Sequence, residues 1–219
     1  MTQFRTVLLT SGLLLALCGV AAQAQSSSKP LLTLQMPALP DPARVALDPA
    51  TTALLVLDHV DSICNSQSKC KGEMLPAVTP FMARARKAGV VVAYGTCGPN
   101  MSKWLPEVAP VPRDIKIVNT AQDGFYNTDL DNALKAKLIA TIIIVGWKVS
   151  SGSVAYSSVG APVRGYTVAV PVDTTAAATA YETAIGFYQI LNQNPANLSN
   201  EPLKPNSATL SRTDMITFR

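Results

Sequence analysis

Two side chains that could act together as nucleophile and base stand out in the sequence, Asp58 and Ser153. Asp58 directly follows the apolar run "TALLVL", and Ser153 ends the stretch "KVSSGS", which follows the run "TIIIVG". A serine hydroxyl attacks a carbonyl carbon efficiently only when a nearby base takes its proton, and a carboxylate is one such base. The pair therefore matters only if the fold brings the two positions together.

Strands and helices are predicted to alternate along the chain. Uniformly apolar runs such as residues 53–57 and 142–145 are typical of strands buried on both faces of a parallel sheet. Helical spacing of Leu75, Val78, Phe81, Met82 and Ala85 predicts a helix that ends near Gly89. Later helices are expected near 128–137, 151–163 and 175–192, and the tail 206–218 is expected to add an edge strand. The alternation predicts βαβ units in an α/β domain with a mainly parallel sheet.

The residues that follow each predicted strand are the candidates for a site. In open parallel sheets, ligands bind beyond the carboxyl ends of the strands, where the strand order reverses. These positions are Asp58 after the first strand, Asn119 and Thr120 after the third, the segment 146–153 after the fourth, and Asp173 after the fifth.

Four segments resemble one known family. "TALLVLDHVDSIC" is similar to the opening strand of isochorismatase-like hydrolases, the cysteine hydrolase superfamily that includes nicotinamidases and N-carbamoyl amidohydrolases. "DGFYNTDLDNAL", "IIIVG" and "RGYTVAVPVDTTAA" resemble later segments of the same family, in the same order. The resemblance covers about residues 50–190. It implies a single-domain, three-layer fold with a six-stranded, mainly parallel sheet of order 3-2-1-4-5-6.

The resemblance also implies catalytic positions, and two of the three have changed. The family uses an Asp base, a Lys that stabilises anionic forms, and a Cys nucleophile. These positions fall on Asp58, on Asn119, and on Ser153 or Gly152, depending on the direction of counting. The chain thus resembles a divergent member that lacks the catalytic Cys and Lys.

Other residues are candidates for substrate binding. For a hydrolase, backbone N–H groups near Gly152 and Ser153 would form the oxyanion hole. Lys148 follows the fourth strand at the expected crevice, and Phe125 and Trp147 could wall an apolar pocket. We also hypothesise that Lys148 reaches toward Asp58 to replace the lost cation. The competing interpretations are a solvated lysine and aromatic rings that serve only packing.

The remaining ionisable candidates are weaker. His59, the one histidine of the chain, should point away from Asp58 by strand alternation, which disfavours a Ser-His-Asp triad. With a single histidine, a zinc site is not expected, and no other cofactor is expected either.

The first 24 residues read as an export signal. Arg5 precedes an apolar run, and Ala22-Gln23-Ala24 matches a signal-peptidase site; lipidation at Cys18 is the less favoured alternative. Residues 25–50, rich in proline and serine, are predicted to form an extended arm, and residues 51–219 the domain. We therefore expect a periplasmic or secreted protein, without a membrane span after the signal is removed.

The cysteines are consistent with an exported protein, because disulfides persist outside the cytoplasm. Cys64 and Cys70 are predicted to form a disulfide that closes a polar surface hairpin, which is favoured over metal binding. Cys97 is then left over, as a buried or a reactive thiol.

Charge and family resemblance leave two function classes open. The net charge of +4 comes without a basic stripe, so nucleic-acid binding is unsupported. The first class is a hydrolase that cleaves an amide, ester or vinyl-ether bond of a small molecule with Ser153 in place of cysteine. The second is an inactive relative that binds a small molecule or a protein partner. The resemblance also allows a homo-oligomer.

Overall fold

A computed structural model describes residues 33, 35–97 and 103–219, and for Cys97 it describes the backbone alone. Contacts divide the chain into residues 1–37 and 38–219, and the fold below is that of the second unit. The predicted signal peptide, residues 1–24, lies outside the described residues, as do residues 25–32 and 34 of the predicted arm. Within the described ranges, every helix is too short or too polar to cross a bilayer.

Helices and strands alternate through most of this unit. In chain order, the strands of the described part are β1 (Val45–Leu47), β2 (Thr52–Leu57), β3 (Val91–Cys97), β4 (Ile115–Asn119), β5 (Thr141–Trp147), β6 (Thr167–Pro171), β7 (Thr175–Ala176), β8 (Ala208–Ser211) and β9 (Ile216–Phe218). The helices are α1 (Asp61–Ser66), α2 (Leu75–Lys87), α3 (Leu130–Lys135), α4 (Ser153–Gly160) and α5 (Ala180–Leu191). A π-helical turn (Cys70–Met74) joins α1 to α2.

The main sheet has the predicted topology. Its strand order is β4-β3-β2-β5-β6-β8, with every neighbouring pair parallel. This is the order 3-2-1-4-5-6 in terms of the six long strands, so the predicted fold class is confirmed. The short strand β7 adds to the end of β5, and β1 pairs with β9 in a separate two-stranded sheet. The described part of the predicted arm therefore contributes a strand.

The sheet is covered on both faces, which explains why its central strands are apolar throughout. All six residues of β2 are buried, with Leu54 and Val56 packing on the α2 face and Leu55 and Leu57 on the opposite face. The second face is covered by α3, α4 and α5. Full burial of one such leucine contributes about 1.5–3 kcal/mol to stability. A strand buried on both sides has no polar face, and this is the pattern that the sequence shows.

Two predicted helices begin later than expected. The helix predicted at 151–163 spans Ser153–Gly160, followed by a 3-10 turn (Pro162–Arg164). The helix predicted at 175–192 begins at Ala180, because Thr179 and Glu182 form a reciprocal cap. The Glu182 backbone N–H donates to Thr179 Oγ1 at 3.1 Å, and the Thr179 N–H donates to Glu182 Oε2 at 3.0 Å.

The predicted disulfide is present, but the predicted surface hairpin is wrong. Cys64 and Cys70 are bonded to each other with Cα atoms 5.0 Å apart. Cys64 lies on α1 and Cys70 begins the π-helical turn, and both residues are buried. The segment between them lacks a glycine or proline to turn a hairpin, and burying its cysteines against the core favours the helical path.

Candidate active site

The carboxyl ends of β2 and β5 meet at the point where the strand order reverses. Asp58 follows β2 directly, in the left-handed region with φ of +56°, and Ser153 begins α4 after β5. Gly146 makes the approach of the two strands possible. Its φ is +134°, and a Cβ on it would lie 1.8 Å from the Leu57 carbonyl oxygen, so only glycine fits there.

This geometry brings the predicted nucleophile, Ser153, within hydrogen-bond distance of the predicted base, Asp58. The Ser153 hydroxyl donates a hydrogen bond to Asp58 Oδ2. Ser153 is fully buried and Asp58 is 4% exposed. Gln122 Oε1 lies 3.4 Å from the same hydroxyl. Because a hydroxyl has one proton, the charged carboxylate is the stronger acceptor of the two.

A cavity of about 330 Å³ opens beside this pair. That volume lies within the usual range for sites that bind small molecules. The lining residues are Asp58, Ile63, Gln67, Gln122, Trp147, Lys148, Ser151, Gly152 and Ala178. A larger cavity of about 660 Å³ lies along α2, with Lys71 and Glu107 in its wall, but it does not include the Asp58–Ser153 pair. We therefore place the candidate site in the smaller cavity.

Lys148 lines the cavity but does not pair with Asp58. Its Nζ atom lies 3.7 Å from Glu182 Oε1, and this ion pair replaces the hypothesised approach to the Asp58 carboxylate. Glu182 sits in the first turn of α5, where the cap of that helix holds it. The hydrogen bond from the Thr179 backbone is the main cause that lowers the pKa of Glu182, so its carboxyl stays ionised and attracts the ammonium.

Asn119, the residue that the resemblance puts at the lysine position, is uncharged. It is fully buried at the end of β4, and β3 separates that strand from β2. Its side-chain amide donates to the Ala121 carbonyl oxygen at 2.8 Å. Asn119 therefore braces the loop after β4 and brings no positive charge to the site.

His59 takes no part in a triad. Its ring is fully buried, and neither imidazole nitrogen has a hydrogen-bond partner among the described residues. Burial lowers the pKa of His59 from 6.5 to about 4, so the ring is neutral at physiological pH.

The two aromatic candidates have different surroundings. Trp147 lines the cavity and also packs against the α2 face of the core. Phe125 is not part of the described cavity wall; its ring stacks on Tyr166 with centroids 5.9 Å apart, and Arg164 lies 5.0 Å over its face. The structure therefore places Phe125 in packing, and its predicted contact with substrate finds no support in the cavity.

Cys97 ends β3, and its side chain lies outside what the structure describes. In the described part of the chain, no group of three or more His, Cys, Asp or Glu residues is placed to hold a metal ion.

Some of the cavity wall was not anticipated from the sequence. Gln122 follows β4, so the rule about carboxyl ends of strands could have identified it. Ile63 reaches the cavity from α1, a helix that was not predicted, and Gln67 reaches it from the segment 64–70, which was expected to form a hairpin. Glu182 had a signal in the sequence "TAYE", a capping-box pattern, although the pattern does not reveal its contact with Lys148.

Comparison with known proteins adds a family match. Residues 52–194 match the sequence model of the Isochorismatase domain. The chain is 26% identical over 159 residues to ureidoacrylate amidohydrolase RutB of Methylobacterium radiotolerans, covering 51% of this chain and 61% of that protein. The match to RutB of Agrobacterium fabrum is 26% over 162 residues, covering 52% and 70%. The chain thus spans less than two thirds of the first of these relatives.

Solved structures share the fold. N-carbamoylsarcosine amidase from Thermoplasma acidophilum superposes with a TM-score of 0.61 and 21% identity, covering 75% of this chain and 97% of that one. An isochorismatase from Pseudomonas putida superposes with a TM-score of 0.65 and 16% identity, covering 78% and 93%. At these identities the likeness concerns the fold alone.

Proposed function

This chain belongs to the isochorismatase family, and from that premise we propose that it is a hydrolase that cleaves an amide or ester bond of a small molecule. In this proposal Ser153 attacks in place of the family's cysteine, and Asp58 is the base. Two curated relatives are named as ureidoacrylate amidohydrolases, which supports amide chemistry as the first class to test.

One observation carries the proposal: the hydrogen bond from the Ser153 hydroxyl to Asp58 beside the cavity. A base must lie within hydrogen-bond reach of the proton that it removes, and this pair meets that requirement without any movement. The pair is also shielded from bulk water, which strengthens the electrostatic influence of the carboxylate on the hydroxyl.

The proposed reaction has two halves. Ser153 Oγ forms a bond to the substrate carbonyl carbon while its proton moves to Asp58. The tetrahedral intermediate then collapses, and the leaving amine or alcohol departs with that proton. A water molecule next attacks the acyl-serine, with Asp58 again the proton acceptor, and the acid product leaves as Ser153 Oγ regains a proton.

Stabilisation of the oxyanion is the weak part of this site. The amino-terminal end of α4 lies at Ser153, and its dipole favours negative charge by about 0.3–1 kcal/mol. Asn119 brings no positive charge, and Lys148 pairs with Glu182. Because removal of one oxyanion donor costs about 100- to 1000-fold in kcat in other acyl-transfer enzymes, we expect slow turnover and a preference for reactive bonds.

Asn119 and the pairing of Lys148 with Glu182 thus leave the proposed oxyanion without an assigned cation, and this supports a second candidate, a binding protein that keeps the cavity without catalysis. The two candidates differ in whether chemistry depends on Ser153.

Turnover measurements separate the candidates. The mature protein is incubated with small amides, esters and a vinyl ether, alongside Ser153→Ala, Ser153→Cys and the control Ser151→Ala, which alters a serine of the cavity wall two residues before Ser153. The hydrolase proposal predicts turnover that Ser153→Ala abolishes, that Ser151→Ala retains and that Ser153→Cys raises. No turnover above background with any protein would favour the binding protein.

We also propose export through residues 1–24. Expression in a bacterial host should give a periplasmic or secreted protein whose amino terminus is Gln25. Full-length protein retained in the cytoplasm would contradict export.

A further inference from the structure

Lys148 brings a positive charge to the wall of the candidate cavity. Its side chain packs along Gly152, the residue before Ser153: a Cβ on Gly152 would lie 2.9 Å from Lys148 Cγ and 2.5 Å from the Lys148 backbone nitrogen. Lys148 lines the same cavity as Asp58, the partner of Ser153. A small substrate that binds in this cavity beside Asp58 is therefore also near the Lys148 side chain.

The ion pair of Lys148 leaves room for a ligand. An ammonium has three N–H donors, and its contact with Glu182 Oε1 is long, at 3.7 Å. The Lys148 side chain is 24% exposed, so its ammonium is partly removed from water. Glu182 is held independently, because its Oε2 accepts from the Thr179 backbone at 3.0 Å. Lys148 can thus bind a ligand while Glu182 remains in the cap of α5.

We propose that Lys148 binds a carboxylate at the far end of the substrate, so that this site selects small anionic amides or esters. The inference rests on the proposed hydrolase for the reaction, but not for binding. Asp58 sets the orientation of the bound substrate. Its carboxylate repels the substrate carboxylate, so the neutral carbonyl group is the end that binds near Ser153. The volume of about 330 Å³ limits the substrate to a small molecule.

A matched pair of probes tests the charge preference without turnover. Succinamate and succinamide differ only in whether the far end is a carboxylate or a carboxamide. Their affinities for the full-chain Ser153→Ala protein are measured by calorimetry and by tryptophan fluorescence, to which Trp147 in the cavity wall and Trp104 both contribute. A charge-assisted hydrogen bond to the ammonium predicts about tenfold tighter binding of succinamate. Added salt should reduce that preference.

Three variants assign the preference to Lys148. Lys148→Met keeps an unbranched stem against Gly152 and should equalise the two affinities, whereas Lys148→Arg should keep the preference. Glu182→Gln keeps an oxygen acceptor for the helix cap, removes the competing charge, and should tighten succinamate by about threefold. Circular dichroism and thermal unfolding check that each variant is folded.

Equal affinities for the two probes in the Ser153→Ala protein, or no measurable binding of succinamate, would overturn the inference. A preference that survives in folded Lys148→Met would overturn it as well. The binding test and the turnover test can fail separately. A charge preference without turnover by the wild-type protein would support carboxylate binding by Lys148 and refute the hydrolase. Turnover without a charge preference would support the hydrolase and refute carboxylate binding by Lys148.

Discussion

Acidification should destabilise this fold through His59. The ring is fully buried and has no hydrogen-bond partner in the described part of the chain, and burial lowers its pKa from 6.5 to about 4. In the unfolded chain the same ring takes up a proton near pH 6.5. Between these values the unfolded state binds more protons than the folded state, so the free energy of unfolding falls as the pH falls.

The size of the effect follows from the two pKa values. Each pH unit between 6.5 and about 4 removes up to about 1.4 kcal/mol, which sums to about 3 kcal/mol over the interval. Above pH 6.5 the ring is neutral in both states, and its contribution does not change with pH. A loss of about 3 kcal/mol is a large part of the stability of a domain of this size.

Urea unfolding at a series of pH values measures this loss. His59→Leu removes the titrating group and keeps a side chain of similar size at this buried position. The stability difference between the two proteins therefore isolates His59 from the carboxylates that both contain. The difference should shift by about 3 kcal/mol in favour of the variant between neutral pH and pH 4. Because the chain has one histidine, its imidazole NMR signal also reports the pKa directly. Parallel stability profiles, or a pKa near 6.5 in the folded protein, would refute this description of His59.

Three further substitutions test the supports of the site. Gly146→Ala would place a Cβ 1.8 Å from the carbonyl oxygen that ends β2, so urea unfolding should show a loss of about 3 kcal/mol or more. The control Gly72→Ala, with open space around the new Cβ, should cost far less. Similar costs for the two variants would contradict the close approach of β2 and β5. Asn119→Lys adds the positive charge that the resemblance implies at this position, and kcat/KM should rise by about tenfold. Unchanged or lower kinetics in a folded variant would show that this charge does not limit turnover. Replacing Cys64 and Cys70 by alanine should cost about 2 kcal/mol of stability because the bridge closes a short loop, and equal stability of the wild type with and without reductant would show that the bridge does not matter.

The fold and the central pair could be predicted because they depend on local patterns and one topological rule. The apolar runs around Leu55 and Ile143 identify strands buried on both faces, and parallel strands bring their carboxyl ends to one edge of the sheet. Asp58 and Ser153 follow two such strands, and the sheet order that the family resemblance implied makes these strands neighbours. Their hydrogen bond follows from that adjacency.

The rest of the site depends on contacts that no local pattern encodes. Lys148 and Glu182 are distant in sequence, and their pairing follows from where the cap of α5 starts that helix. Phe125 could line a pocket or stack on another ring with equal sequence support, and its partner Tyr166 decides for stacking. Ile63 reaches the cavity from α1, a helix of six residues that is too short to show a clear apolar periodicity in the sequence.

Covalent labelling tests the role of Ser153 most directly. The protein is mixed with p-nitrophenyl acetate, the reaction is stopped in acid, and the acetyl group is located by peptide mass spectrometry. Attack by Ser153 predicts an acetyl group on the peptide that contains Ser153, retained in Ser151→Ala and absent from Ser153→Ala. An acetyl group found only on other residues, or ester hydrolysis at the wild-type rate by Ser153→Ala, would contradict Ser153 as the nucleophile.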